Sequence, residues 1–195
     1  MVVPKDMELY PLRVMDRDAV SLLDLVYESL IEIDDNREPV PSLATSWEVL
    51  ADGRTWLFTL RDEVYFHDGR KLTAYDVAAT MDQIAAIAQD SSLSDNQKGL
   101  YQKLPSVCAS WVADDEKTLR VRTVRPYFGL LYAMTFPVLQ AQSAMQPSPP
   151  GTGPYRIESY APGDQMWLRG NENWWGRPPY ITDILGQWCE SDDAA

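Results

Sequence analysis

Apolar positions along the first third of the chain repeat at two different periods. Leu22, Leu23, Val26, Tyr27 and Leu30 recur at helical spacing, which predicts a helix over residues 19–31 with Asp18 as its cap. Asp34-Asp35-Asn36 then marks a turn, and Pro39 and Pro41 hold the chain extended. From Trp47 the period drops to two. Trp47-Glu48-Val49 reads as a strand, Asp52-Gly53 as a hairpin turn, and Trp56, Phe58 and Leu60 alternate with Leu57, Thr59 and Arg61. Val64-Tyr65-Phe66 reads as another strand, closed by a turn at Asp68-Gly69. Thr73, with Asp76 three residues on, has the form of a capping box and opens a helix with Val77, Met81, Ile84, Ala85 and Ala88 on its apolar face.

The second half is less regular. Residues 90–105 are polar and read as a loop with a short helical piece. Residues 107–112 and 118–124 form a hairpin around Asp114-Asp115-Glu116-Lys117, with Leu119, Val121 and Thr123 on one face and Arg120 and Arg122 on the other. A short apolar helix is expected over 127–134, and the Pro-rich stretch 146–154 is an irregular connection. Strands are expected at 155–159 and 165–169 around a Pro162-Gly163-Asp164 turn, then at 181–188 after the aromatic cluster Trp174-Trp175. Helices and strands are interspersed without a βαβ rhythm, so the expected class is mixed α/β, with two subdomains and the Pro-rich stretch as one crossing between them.

Composition narrows the functions open to this pattern. The 195 residues suffice for a sizeable core. With 29 Asp and Glu against 17 Lys and Arg, the net charge is −12 and no basic run exists, which argues against nucleic acid as a partner. Seven Trp and ten Tyr suit a cleft that grips ligands of varied shape, although core and rim packing accounts for most aromatics in any protein. No apolar stretch is long enough to span a bilayer, and Met1-Val2-Val3-Pro4-Lys5-Asp6 is neither a signal peptide nor a lipid-attachment segment.

The inventory for catalysis is nearly empty. His67 is the one histidine and sits beside a turn, where a hydrogen-bonded structural role is expected. Cys108 and Cys189 are not spaced as metal ligands; they read as two buried thiols or, alternatively, a disulfide. No metal site and no cofactor are expected. The acidic pairs Asp34-Asp35, Asp114-Asp115 and Asp192-Asp193 fall in turns or the tail. Gly151-Thr152-Gly153 is no phosphate loop, because Pro154 removes a donor and no GK[ST] follows.

Three stretches carry a family resemblance. Leu25-Val26-Tyr27-Glu28-Ser29-Leu30 runs on to Pro41-Ser42-Leu43-Ala44-Thr45-Ser46-Trp47-Glu48-Val49. Asp52-Gly53-Arg54 leads through Phe66-His67-Asp68-Gly69 to Thr73-Ala74-Tyr75-Asp76-Val77. Gly151-Thr152-Gly153-Pro154-Tyr155 is followed by Asn171-Glu172-Asn173-Trp174-Trp175-Gly176. In this order they resemble the extracytoplasmic solute-binding proteins of the oligopeptide, dipeptide and nickel type, bacterial family 5, which feed ABC importers.

The resemblance implies a type II periplasmic-binding-protein lobe with a mixed sheet. Residues 1–44 and 151–195 would form its main sheet region, and 45–150 a smaller inserted α+β subdomain. It also implies that the second ligand-binding lobe is absent from this chain, which then offers half a cleft. The function implied is non-catalytic capture of peptides or another small polar solute, with the importer's membrane subunits as partners. The location implied is outside the cytoplasm, in the periplasm or as a cell-surface lipoprotein, with membrane contact only through a lipid anchor missing from this chain. In peptide-binding relatives, backbone just after an LDP-like segment forms one ligand wall. Here Leu9-Tyr10-Pro11 is the equivalent, with Tyr10 where Asp is usual, and the wall falls at Met15, Asp16 and Arg17. The plain alternative for these three is an ordinary surface loop. Two other functions remain open on the residues: the ligand-sensing domain of a regulator, and a carbohydrate-active enzyme lobe, which needs two carboxylates at a set separation.

Overall fold

The computed structural model describes residues 7–187. Its first helix, α1, spans Arg17–Leu23 and is shorter than the apolar spacing predicts. Its cap is Asp16 rather than Asp18: Asp16 Oδ1 accepts the backbone N–H of Asp18 and Ala19 at 3.0 and 2.9 Å. Val26, Tyr27 and Leu30 are buried as expected, but not as helix. The backbone carbonyls that would continue the helix bond across to a distant segment. Gly153 N–H donates to Val26 O at 2.9 Å and Tyr155 N–H to Leu25 O at 3.0 Å.

Strands β1 (Ile31–Ile33) and β2 (Pro39–Pro41) make a two-stranded ribbon. Next come β3 (Ala44–Val49) and β4 (Thr55–Leu60), joined by the Asp-Gly turn. In that turn Asp52 Oδ1 accepts the N–H of Arg54 and Thr55, and these bonds, with the Thr55 hydroxyl, hold its carboxyl down at about 2. Val64–Phe66 is not the strand its residues predict. Tyr65 makes a single bridge to Lys71, and Phe66 N–H donates to Arg70 O at 2.8 Å around the Asp68-Gly69 tip.

Helix α2 (Ala74–Gln89) starts with the predicted box: Asp76 Oδ2 accepts from both the backbone N–H and the hydroxyl of Thr73, and Val77, Met81 and Ile84 are buried. A 3₁₀ turn at Asp95–Lys98 and the single turn α3 (Leu104–Val107) lead into β5 (Cys108–Ala113) and β6 (Thr118–Thr123). These pair with the earlier hairpin in one antiparallel sheet of order β3-β4-β6-β5. Directly opposed pairs put Trp56, Phe58, Leu119 and Val121 on one buried face, and α2 packs against β5 and β6. Asp82 of α2 pins β5 by accepting the Trp111 indole N–H at 2.8 Å.

After the short α4 (Leu130–Ala133), the Pro-rich connection reaches a second antiparallel sheet of β7 (Tyr155–Ala161), β8 (Gln165–Gly170) and β9 (Asp183–Gln187), in that order. The strand predicted to reach Trp188 thus ends at Gln187 among the described residues; Trp188 lies outside them, as does Cys189. Cys108 is buried, which pushes its thiol up to about 12. The chain's start is tied to the second sheet by Met7 N–H, which donates to the Tyr160 hydroxyl at 2.8 Å.

Two glycines mark different constraints. Gly151 has no room for a side chain, since a Cβ there would lie 2.0 Å from Val26 O. Gly69 has open space but a φ of +86°, in the left-handed region. Gly69→Ala is therefore expected to lose about 1–2 kcal/mol, the cost of that conformation for a side chain. Gly151→Ala should lose clearly more, because backbone must move. Urea denaturation of both variants checks this ranking, and a Gly151→Ala protein as stable as the wild type would rule out the close approach.

Candidate functional site: an open groove and the junction behind it

Met15, Asp16 and Arg17 come together as the exposed lead-in to α1, with Met15 44% exposed. Asp16 is engaged as the helix cap through one oxygen. Tyr10, standing where Asp is usual, is buried, and the Arg13 guanidinium lies over its ring at 5.3 Å. This residue is a packing element with its polar tip subordinate to the ring. Val14 and Val20, which flank the segment, line a narrow crevice with Leu23, Asp24 and Tyr101. Tyr101 rests edge-on against buried Phe136, with centroids 6.4 Å apart.

The crevice shares Asp24, Tyr27 and Pro137 with a depression of about 470 Å³. Glu28, Glu32 and Thr135 complete its polar wall. Burial, with help from the Glu32 charge, raises the Asp24 carboxyl above its ordinary value. Tyr27 is buried, and its hydroxyl donates to Pro149 O at 2.7 Å, fixing the groove's floor to the Pro-rich connection. The groove is open on one side, and a small-molecule site normally encloses most of its ligand.

Behind the groove the three motif stretches converge. Glu28 is only 6% exposed. Its Oε1 accepts the indole N–H of Trp174 and of Trp175, both at 3.0 Å, and Oε2 also lies 3.0 Å from the Trp175 nitrogen. The Arg61 guanidinium covers the Trp175 ring at 3.9 Å from its centroid. Burial drives the Glu28 carboxyl up to about 6, against the opposing pull of the Trp175 and Trp174 donors.

His67 serves the same junction. Its backbone N–H donates to Gly151 O at 2.9 Å, and Nε2 donates to Gly153 O at 3.0 Å. A carbonyl only accepts, so Nε2 carries the proton. Burial lowers the imidazole's pKa, keeping the ring neutral. Asn171 joins from the other side, with Nδ2 donating to Gly153 O at 3.1 Å. The histidine is thus a structural tie, with no nucleophile bonded to it among the described residues. Among the described residues, no group of His, Cys, Asp and Glu is arranged to hold a metal, and no helix is long and apolar enough to cross a membrane.

The sequence motifs flagged Trp174-Trp175 and His67, but the partner that unites the indoles, Glu28, was visible only as part of a motif. A carboxylate between Tyr27 and Ser29 in an apolar run was the one available signal.

The architecture is that of a type II periplasmic-binding-protein lobe, a mixed α/β body offering an open groove. NikA from Brucella suis, solved in complex with Fe(III)-EDTA, superposes with a TM-score of 0.85 at 21% identity, covering 98% of this chain and 39% of that one. The Helicobacter pylori periplasmic binding protein DppA, solved with peptide STSA, gives 0.80 at 22% identity, covering 95% and 41%. The family model for bacterial extracellular solute-binding proteins, family 5, middle region, matches residues 38–195, and the chain belongs to that family. It is a family of extracytoplasmic binding proteins rather than enzymes. The nickel-binding periplasmic protein of Escherichia coli is 27% identical over 171 residues, covering 82% of this chain and 31% of that protein. The dipeptide-binding protein of the same organism is 27% identical over 189 residues, covering 82% and 34%. The chain therefore spans about a third of the length of these curated relatives.

The raised Glu28 carboxyl makes a signed prediction. The folded state holds this proton more tightly than the unfolded state, so its contribution is greatest below the unfolded value near 4.5 and is lost as pH rises through about 6. Between about pH 4 and pH 7 the stability gap between wild type and Glu28→Gln should move by about 2 kcal/mol in favour of Gln. Denaturant titrations at the two pH values measure it, and a pH-independent gap would exclude the raised carboxyl.

Proposed function

We propose that this chain is the first lobe of a two-lobed receptor that captures peptides or another small polar solute outside the cytoplasm and delivers it to an ABC importer's membrane subunits. The observation that carries this reading is the open groove of a family 5 chain, with one wall built and nothing in the described residues roofing it. The opposite wall would come from the remainder of a protein of its relatives' length. Ligand would then be gripped by closure of two lobes, with no covalent step.

In this reading Met15, Asp16 and Arg17 form the ligand-facing lead-in to the groove. Three features support it: their exposure, their place between crevice-lining Val14 and Val20, and the Asp16 oxygen left outside the helix cap. Residues 1–44 and 151–195 make the main sheet region and 45–150 an inserted subdomain. The four-stranded sheet between Ala44 and Thr123 and the separate sheet between Tyr155 and Gln187 support that division. A lipid anchor would hold the receptor at the membrane in a cell-surface form. Dipeptides and nickel chelates are the first ligands to try, because relatives are named for dipeptide and nickel binding.

The test is a thermal-shift screen of the full-length protein and of this chain against mixed di- to tetrapeptides and nickel complexes. A ligand that raises the melting temperature of the full-length protein, but barely that of this lobe, is the expected result. Stabilisation of the isolated lobe to the same extent would overturn the half-cleft reading. Arg17→Ala in the full-length protein should weaken that ligand at least about tenfold, equivalent to roughly 1.4 kcal/mol. Asp16→Ala adds the loss of a helix cap, about 1 kcal/mol of stability.

A further inference from the structure

Glu28 has two roles at once. It is a wall of the 470 Å³ depression, and it is the acceptor shared by Trp174 and Trp175, which lie 146 and 147 residues along the chain. We propose that Glu28 is a proton-operated switch that sets the charge of the depression and transmits the change to the Trp174–Trp175 pair.

The geometry supplies the coupling. As a carboxylate, Glu28 takes three indole contacts with its two oxygens, each 3.0 Å long. A proton on Oε2 competes for the lone pairs facing the Trp175 N–H and turns an acceptor into a donor. The Trp175 ring is held by Arg61, whose Nε also donates to Ser42 O at 3.1 Å, so the ring cannot drift away from the altered carboxyl without breaking a second contact. The two indoles adjoin each other, with centroids 5.4 Å apart, and both register the change.

The charged groups around Glu28 place the transition where it can act. From β1, Glu32 opposes its ionisation along with burial, and Asp24 shares the wall of the depression; from beyond β4, Arg61 reaches it only through the Trp175 ring. Tyr27 is held uncharged by burial, and His67 is turned to the Gly153 carbonyl on the far side of the motif. The carboxyl's value of about 6 falls where modest acidification of an extracellular compartment operates. This inference concerns the ligand-free lobe and does not rest on the capture reading.

Glutamate ¹³C-carboxyl NMR of the ligand-free chain, titrated with acid, reads the switch directly. One resonance, absent from Glu28→Gln, should titrate with a midpoint near 6, well above the ordinary glutamate value of 4.5. Tryptophan emission should change with the same midpoint and lose most of that change in Trp175→Phe. If the Glu28 resonance titrates near the ordinary value of 4.5, the proposal is overturned. It is equally overturned if emission shows no transition between about pH 5 and pH 7, or if Glu28→Gln, folded by circular dichroism, keeps the wild-type transition. The NMR arm needs no variant to be functional, so an unfolded Glu28→Gln does not shield the idea.

Discussion

One crossing holds this molecule together: the backbone of Gly151–Gly153 pressed against the carbonyls of Leu25 and Val26. It takes place at a distance that excludes a side chain, and each contact replaces a bond that the first helix would otherwise make for itself. Glycine is needed because the approach is backbone on backbone. Everything nearby is arranged around that contact. His67 and Asn171 satisfy the Gly153 carbonyl from two sides, and Tyr27 secures Pro149 just upstream. A buried polar group without a partner costs 1–3 kcal/mol, so these ties make the crossing tolerable as well as tight.

The groove inherits its shape from the same place. Asp24, Tyr27 and Glu28 belong to the short segment that leaves α1 early, and they line the depression because the helix stops at Leu23. Had the helix continued, its apolar spacing would have turned the same side chains around an axis. The turn at residues 24–26 and the irregular course beyond it instead present Glu28 to the indoles and Asp24 to the groove. A carboxylate with 6% exposure is an expensive element of a fold. Here its charge is spread over two neutral donors while a guanidinium lies one ring away.

Local elements were legible in the residues, and the non-local ones were not. Helix α2 announces itself because the Thr73–Asp76 box and the Val77–Met81–Ile84 stripe are decided within four residues of one another. The β3–β4 and β5–β6 hairpins follow from alternation and from Asp-rich turns, again at short range. The first helix is shorter than its spacing predicts for a physical reason: Val26, Tyr27 and Leu30 are buried at helical spacing, but the N–H groups that take up Leu25 O and Val26 O belong to Tyr155 and Gly153, more than a hundred residues later. Val64–Phe66 likewise has strand composition, yet its partner is the other limb of a six-residue loop, too short for a ladder. The motif resemblance supplied the family. Neither pattern nor motif indicated that Glu28 and two tryptophans share one contact.

That shared contact has a consequence for how the chain comes to be folded. The side-chain bonds that tie Tyr27 and Glu28 into the junction join residues separated by 122 to 147 positions, and the tie from Met7 to Tyr160 spans 153. Such closures carry a loop-entropy cost that must be met before their contacts reward it. A chain that stops short of Gly153 can build the β3–β6 sheet on α2, but it lacks the partners that take up Leu25 O, Val26 O and the Glu28 carboxyl. Those ties therefore wait for the third motif stretch to emerge. For a protein made on one side of a membrane and used on the other, topology itself delays the fold.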